Sequence, residues 1–177
     1  IIKLQITTSS GNNYTLHYSN PDGTAEQTVN INASSLLYNR TYFSFQQNAT
    51  VEIEPAKTSY DLIFTQYTHV FYEPEFTPYL VTGVLLNPNH VRAVQEIKKD
   101  YINITLADTV SSTLISNTNT IGYDWKEYDF NTSTYKVFPE KVYLIRSVNG
   151  VFYKLHFVDF YDNAGKKGVP TFEYQKL

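Results

Sequence analysis

Side-chain character alternates along the C-terminal segment. From Lys141 to Ser147, Val142, Leu144 and Arg146 fall on one face of an extended chain, with Tyr143, Ile145 and Ser147 on the other. Val148-Asn149-Gly150 then supplies a turn, because Asn and Gly tolerate positive φ. A long strand from Val151 to Tyr161 follows, a second turn runs from Asn163 to Gly168, and a third strand covers Val169 to Gln175. Aromatic and β-branched residues fill all three strands, so the pattern predicts an antiparallel three-stranded meander.

The same reading applies upstream. Ile2 to Thr7 and Tyr14 to Tyr18 flank a turn at Ser9 to Asn13, and Asn20-Pro21-Asp22-Gly23 marks a second turn. Gln27 to Ile31, Tyr42 to Gln46 and Thr50 to Ile53 are short strands, and Tyr60 to Tyr72 is a run long enough to cross a sheet. One segment departs from the pattern. Asn87-Pro88-Asn89-His90 opens like a helix, with a capping residue and Pro at the first helical position, and Val91, Val94 and Ile97 follow at intervals of three. Pro88 to Lys99 is therefore expected to be one short helix, with Lys98 and Lys99 complementing its macrodipole. Ser111 to Thr120 reads as a polar loop. The expected fold is all-β, with antiparallel sandwich-like sheets, the C-terminal meander and the helix near 88–99. It forms a single domain over 1–177, with 1–31 as an extra N-terminal hairpin.

Composition narrows the function. The 16 Tyr and 11 Phe suit half-exposed sheet surfaces, where a ring packs while a hydroxyl reaches water. A net charge of −3 without any basic cluster argues against a nucleic-acid partner. The chain has no Cys and no Met, which removes disulfides, thiolate nucleophiles and cysteine metal sites. No apolar run is long enough to span a membrane. None of the hydrolase, metalloprotease, P-loop or dinucleotide fingerprints occurs, and no nucleophile, base and orienting group can be assembled, so no enzyme activity is expected.

Three blocks carry a family resemblance: YFSF at Tyr42 to Phe45, SYDLIFTQY at Ser59 to Tyr67, and GYDWKEYDFNTSTYKV at Gly122 to Val137 running into the meander. With DFYDNAGKKGVPTFEYQ at Asp159 to Gln175, they resemble the HmuY-like haem-binding proteins of Bacteroidetes-type bacteria over residues 32–177. TPYLVTGVLLNPN at Thr77 to Asn89 is similar to one subgroup of that family. The resemblance implies an all-β hemophore-like lipoprotein, exported to the outer-membrane surface or secreted, with its signal segment outside this sequence. It further implies haem as the ligand and an outer-membrane receptor as partner, in iron acquisition. Asp108-Thr109-Val110 is similar to the short O-glycosylation site of such bacteria.

Haem iron takes axial ligands from His, Met, Tyr or Cys. The loops where the family places its histidines, Lys126 to Phe130 and Lys99 to Gly122, contain none, so no iron ligand carries over position for position. The candidate ligand-binding residues are His90, Tyr128, Trp125 and His69. His90 stands in the first turn of the expected helix, where the dipole favours neutral imidazole. A Tyr128 phenolate can ligate ferric haem if a donor lowers its pKa, although Glu127 and Asp129 act the other way. Trp125 is a core or cleft-wall anchor, and His69 ends the long strand beside Phe71 and Tyr72, at a cleft rim. Each of these has a plain structural alternative. The alternative function is a surface module of the same fold that has lost haem ligation and binds a glycan, a protein or another small ligand.

Overall fold

A computed structural model describes residues 1–96 and 99–177. Its backbone divides into two compact units, Ile1–Lys57 and Thr58–Leu177.

The N-terminal unit holds β1 (Lys3–Ser10), β2 (Asn13–Ser19) and β3 (Gln27–Asn32) in a three-stranded meander, and β4 (Tyr42–Ser44) paired with β5 (Ala49–Val51). Asn20 to Gly23 turns as expected: the Gly23 amide donates to the Asn20 carbonyl at 2.9 Å with Gly23 at φ +86°. Alternation puts Leu16, Tyr18 and Ile31 in a small core with Val29 and Phe43 against it.

The C-terminal unit is built on an antiparallel ribbon and a four-stranded sheet. The ribbon pairs β6 (Leu62–Phe71) with β7 (Thr77–Leu86). The sheet has the order β13-β12-β11-β8, with β8 (Arg92–Glu96), β11 (Val142–Arg146), β12 (Phe152–Tyr161) and β13 (Lys167–Lys176). Between them come a helical turn at Tyr101–Asn103, α1 (Asp108–Ser111), and the paired strands β9 (Lys126–Asp129) and β10 (Thr134–Val137). The meander matches the alternation, and both faces of its first strand, β11, are covered. Tyr143, Ile145, Leu155 and Phe157 join Val84 and Leu86 of β7 in the main core, while Val142 and Leu144 pack with Ile104 beneath the other face.

The helix expected over 88–99 does not form where the chain is described. The Asn87 side chain accepts the Asn89 amide at 2.9 Å, closing a local turn, and His90 takes φ +66°, which a helix cannot continue through. Arg92 to Glu96 then pairs with Val142 to Arg146 as β8. The buried residues are Val91 and Ala93, two apart, so the operative period is that of a strand. Ile97 and Lys98 lie outside the described residues.

The polar stretch after α1 is a loop, as expected, yet it ties the ribbon to the sheet. Ile115 exchanges two backbone hydrogen bonds with Ala93, at 2.9 and 3.0 Å, along the outer edge of β8. The Leu86 amide donates to Thr118, and Val84 and Gly122 exchange bonds of 2.8 and 3.0 Å along the edge of β7. The segment therefore satisfies two sheet edges that would otherwise be exposed. At the far side of the sheet, β13 carries Pro170, and the β12–β13 register shifts on both sides of Asp159.

The tightest point is Gly83, where a Cβ would sit 2.4 Å from the Gly122 carbonyl oxygen. Gly83→Ala should cost about 1–3 kcal/mol or more, because the obstacle is backbone that must move as a body. Urea unfolding checks this, and a variant as stable as the parent would show that the strand can shift away.

Candidate functional site

Residues two apart on β6 share a face, so Tyr67, His69 and Phe71 project together. The His69 ring lies 4.8 Å from Phe71, edge-on at 74°, and 4.8 Å from Tyr123 at 58°. Phe71 also meets Tyr79, its near neighbour across the ribbon, at 6.4 Å. Beside this cluster is an open cavity of about 420 Å³, lined by Tyr67, His69, Tyr72, Leu85, Thr118 and Asn119 among others. Residues 67–70 of β6 form one wall together with Tyr72, and the loop after α1 contributes Thr118 and Asn119.

The phenols here stay protonated. Burial, helped by Tyr123 and Asp124, raises the Tyr67 pKa, and burial with Asp124 raises that of Tyr123. The Tyr67 hydroxyl is buried without a hydrogen-bond partner among the described residues. Tyr67 is thus a neutral group with unspent hydrogen-bonding capacity, two residues from His69 on the same strand.

Lys126 anchors the cluster from behind. Its ammonium donates to the Thr82 carbonyl at 2.6 Å and, more weakly, to the Tyr123 carbonyl at 3.4 Å. It also stands 4.2 Å over Trp125 and 4.7 Å over Phe160. Only 7% of Lys126 is exposed, and burial pushes its pKa down to about 8. The amine therefore joins β7 to the segment that carries Tyr123, holding that ring against His69.

Of the four residues expected at a site, His69 alone lines this cavity. Trp125 is fully buried and stacks on Phe157 at 3.9 Å, as a core residue behind the site. Tyr128 sits half-buried on β9 with its ring 5.1 Å from both Phe130 and Tyr135, and the Lys167 ammonium is 6.0 Å from it. His90 is exposed on the turn before β8, so the helix-dipole argument for it falls with the helix. The structure keeps Tyr72 beside His69 at the cavity and brings in Tyr67, Tyr123 and Lys126, which the sequence did not single out. Spacing on β6 could have found Tyr67, but Tyr123 and Lys126 depend on a long-range register with no local signal.

The remaining histidines are engaged elsewhere. His156 bonds the Pro139 carbonyl at 2.8 Å and Glu173 at 3.0 Å and stacks on Tyr101 at 4.1 Å, and His17 bonds Thr28 at 2.9 Å. No group of three or more His, Cys, Asp or Glu is placed to hold a metal ion among the described residues. Thr109 of the expected O-glycosylation triplet is buried and donates its hydroxyl to the Leu106 carbonyl at 2.7 Å, which leaves it poorly placed for modification. No helix of the described residues is long and apolar enough to cross a membrane.

Residues 37–174 match the family described as HmuY protein. No curated protein matches the chain. Among solved structures, the chain is similar to an apo HmuY analog of Tannerella forsythia, at 12% identity and TM-score 0.37, covering 77% of this chain and 88% of that one. It is similar to a lipoprotein-type structure from Bacteroides fragilis at 18% identity and TM-score 0.36, covering 96% and 91%. It is also similar to apo PinO from Porphyromonas gingivitis at 11% identity and TM-score 0.38, covering 100% and 97%.

The depressed Lys126 pKa has a definite sign. Between about pH 8 and 10.5 the unfolded chain keeps a proton that the folded chain has lost, so stability rises with pH through that window. Tyr143 acts oppositely: burial raises its pKa, so stability falls once pH passes the ordinary phenol value of 10.0. Denaturant unfolding should therefore show a gain from about pH 8 to 10 and a loss above it. Lys126→Met should abolish the gain, and an unchanged profile in that variant would remove Lys126 as its source.

Proposed function

Because the chain belongs to the HmuY family, we propose that it is an exported, non-enzymatic carrier of haem or a related porphyrin, serving iron acquisition, and that the ligand sits in the His69 cavity. The observation that carries this reading is the His69 imidazole on the wall of a cavity that Tyr67 and Tyr72 also line, with Phe71 and Tyr123 packed against the imidazole. Imidazole is a common axial ligand of haem iron, and about 420 Å³ lies within the range of small-molecule sites. Aromatic rings suit the faces of a flat macrocycle.

The donor set fits a seat with one histidine. His69 would be the iron ligand. Tyr67, Tyr72 and Leu85 would cover the apolar area of the macrocycle. A cavity that is open on one side suits a carrier that must surrender its cargo, and an outer-membrane receptor would be the recipient. Lipoprotein anchoring or secretion would place such a carrier outside the cell.

Haemin added at one equivalent should give a sharp, saturable Soret band. His69→Ala should remove the band, while His90→Ala and Tyr128→Phe keep it. A band that survives in His69→Ala puts the ligand elsewhere. Broad absorbance that never saturates would end the haem reading.

A further inference from the structure

A second cavity, of about 370 Å³, lies wholly within the N-terminal unit. It is lined by Ile2, Tyr18, Asn20, Gln27, Phe45 and Asn48, together with Ser19 and Ala25. Most of these positions precede the segment matched by the family, so kinship at residues 37–174 does not account for them.

Its lining is aromatic and amide-rich and carries no ionisable acid or base other than the Tyr18 phenol. Phe45 is 39% exposed and is held edge-on by Tyr18 at 5.0 Å and Phe43 at 5.4 Å. The Tyr18 hydroxyl donates to Asn48 Oδ1 at 2.6 Å, which fixes the direction of that amide. Asn48 Nδ2 then donates to Gln27 Oε1 at a long 3.4 Å. Among the described residues Gln27 Nε2 and the second Asn48 Nδ2 hydrogen have no protein partner, so donors remain at the cavity. Asn20 spends Nδ2 on Thr24 at 2.9 Å and keeps its Oδ1 as an acceptor. Ala25 and Asn48 both hold left-handed backbone, at φ +54° and +50°. Alanine gains nothing from that conformation, and such strain concentrates at ligand sites.

We propose that this cavity binds a neutral saccharide, with one pyranose ring against Phe45 and its hydroxyls on the amides of Gln27, Asn48 and Asn20. A pyranose offers an apolar C–H face for an aromatic ring and a rim of hydroxyls that both donate and accept. Side-chain amides do the same, and they match hydroxyls without requiring charge. A lining without fixed charge gives no counterpart to phosphate, sulfate or carboxylate groups. The site is independent of the His69 cavity and needs no metal.

The test uses the full chain with methyl glycosides of glucose, galactose and mannose, N-acetylglucosamine, and N-acetylneuraminic acid as a charged control. Saturation-transfer NMR should show contact with the ring C–H protons of at least one neutral sugar. Titration calorimetry should give an affinity that falls about tenfold in Phe45→Ala and severalfold in Gln27→Ala. Gln27 is exposed, so its variant keeps the fold and guards against a loss caused by unfolding. His69→Ala should leave sugar binding intact, which separates this site from the haem reading. The proposal is overturned if no neutral sugar shows transfer at tens of millimolar, if the acidic sugar alone binds, or if Gln27→Ala and Phe45→Ala bind as the parent does.

Discussion

Where β7 passes Gly122, two backbones approach more closely than side chains allow, and the candidate site hangs from that contact. The absent side chain at Gly83 lets Val84 and Gly122 exchange their paired hydrogen bonds. Gly122 itself turns through φ +67°, and the four residues that follow include Tyr123, Trp125 and Lys126. One residue later the Tyr123 ring meets His69, and Trp125 enters the core on Phe157. Steric permission at two glycines thus decides where an aromatic wall, a core anchor and a buried cation come to lie.

Two buried lysines serve this architecture in the same way. Lys126 holds the Thr82 and Tyr123 carbonyls, and Lys154, 3% exposed, holds those of Tyr101 and Ile104 at 2.7 and 3.0 Å. Each amine also faces an aromatic ring, Trp125 in one case and Tyr101 in the other. Burying an ammonium is costly unless its hydrogens are satisfied. Here backbone carbonyls and ring faces supply that satisfaction, and irregular segments are fastened to regular sheets as a result.

The sequence revealed the parts of this fold that are local. The meander could be read because Val142 to Ile145 alternate and Asn149-Gly150 turns, features that need no knowledge of distant chain. Arg92 to Glu96 could not be read correctly. Valines three apart after Asn-Pro imitate a helix, while the pairing that makes β8 comes from β11, some fifty positions away. His69 was legible as a strand-end residue among aromatics. Its neighbour Tyr123 was not, since their contact follows from the Gly83–Gly122 approach and not from spacing. Trp125 could be placed in either a core or a cleft wall by composition, and only packing on Phe157 decided between them. The polar run from Ser111 to Thr120 was correctly a loop, but its hydrogen bonds to Ala93 and Leu86 are tertiary facts.

The outer strand of the four-stranded sheet bears on how copies of the chain behave together. Along β13, Pro170 has no amide hydrogen to offer an incoming strand, and the irregular register around Asp159 twists the edge away from a flat template. At the opposite edge, Ile115 already occupies the ladder positions of β8 at Ala93. A sheet edge occupied at Ala93 on one side and interrupted on the other resists adding strands from a neighbouring molecule. The same aromatic, β-branched sequence that makes the meander strong would otherwise favour cross-β stacking, and these edge features oppose fibril growth in concentrated protein.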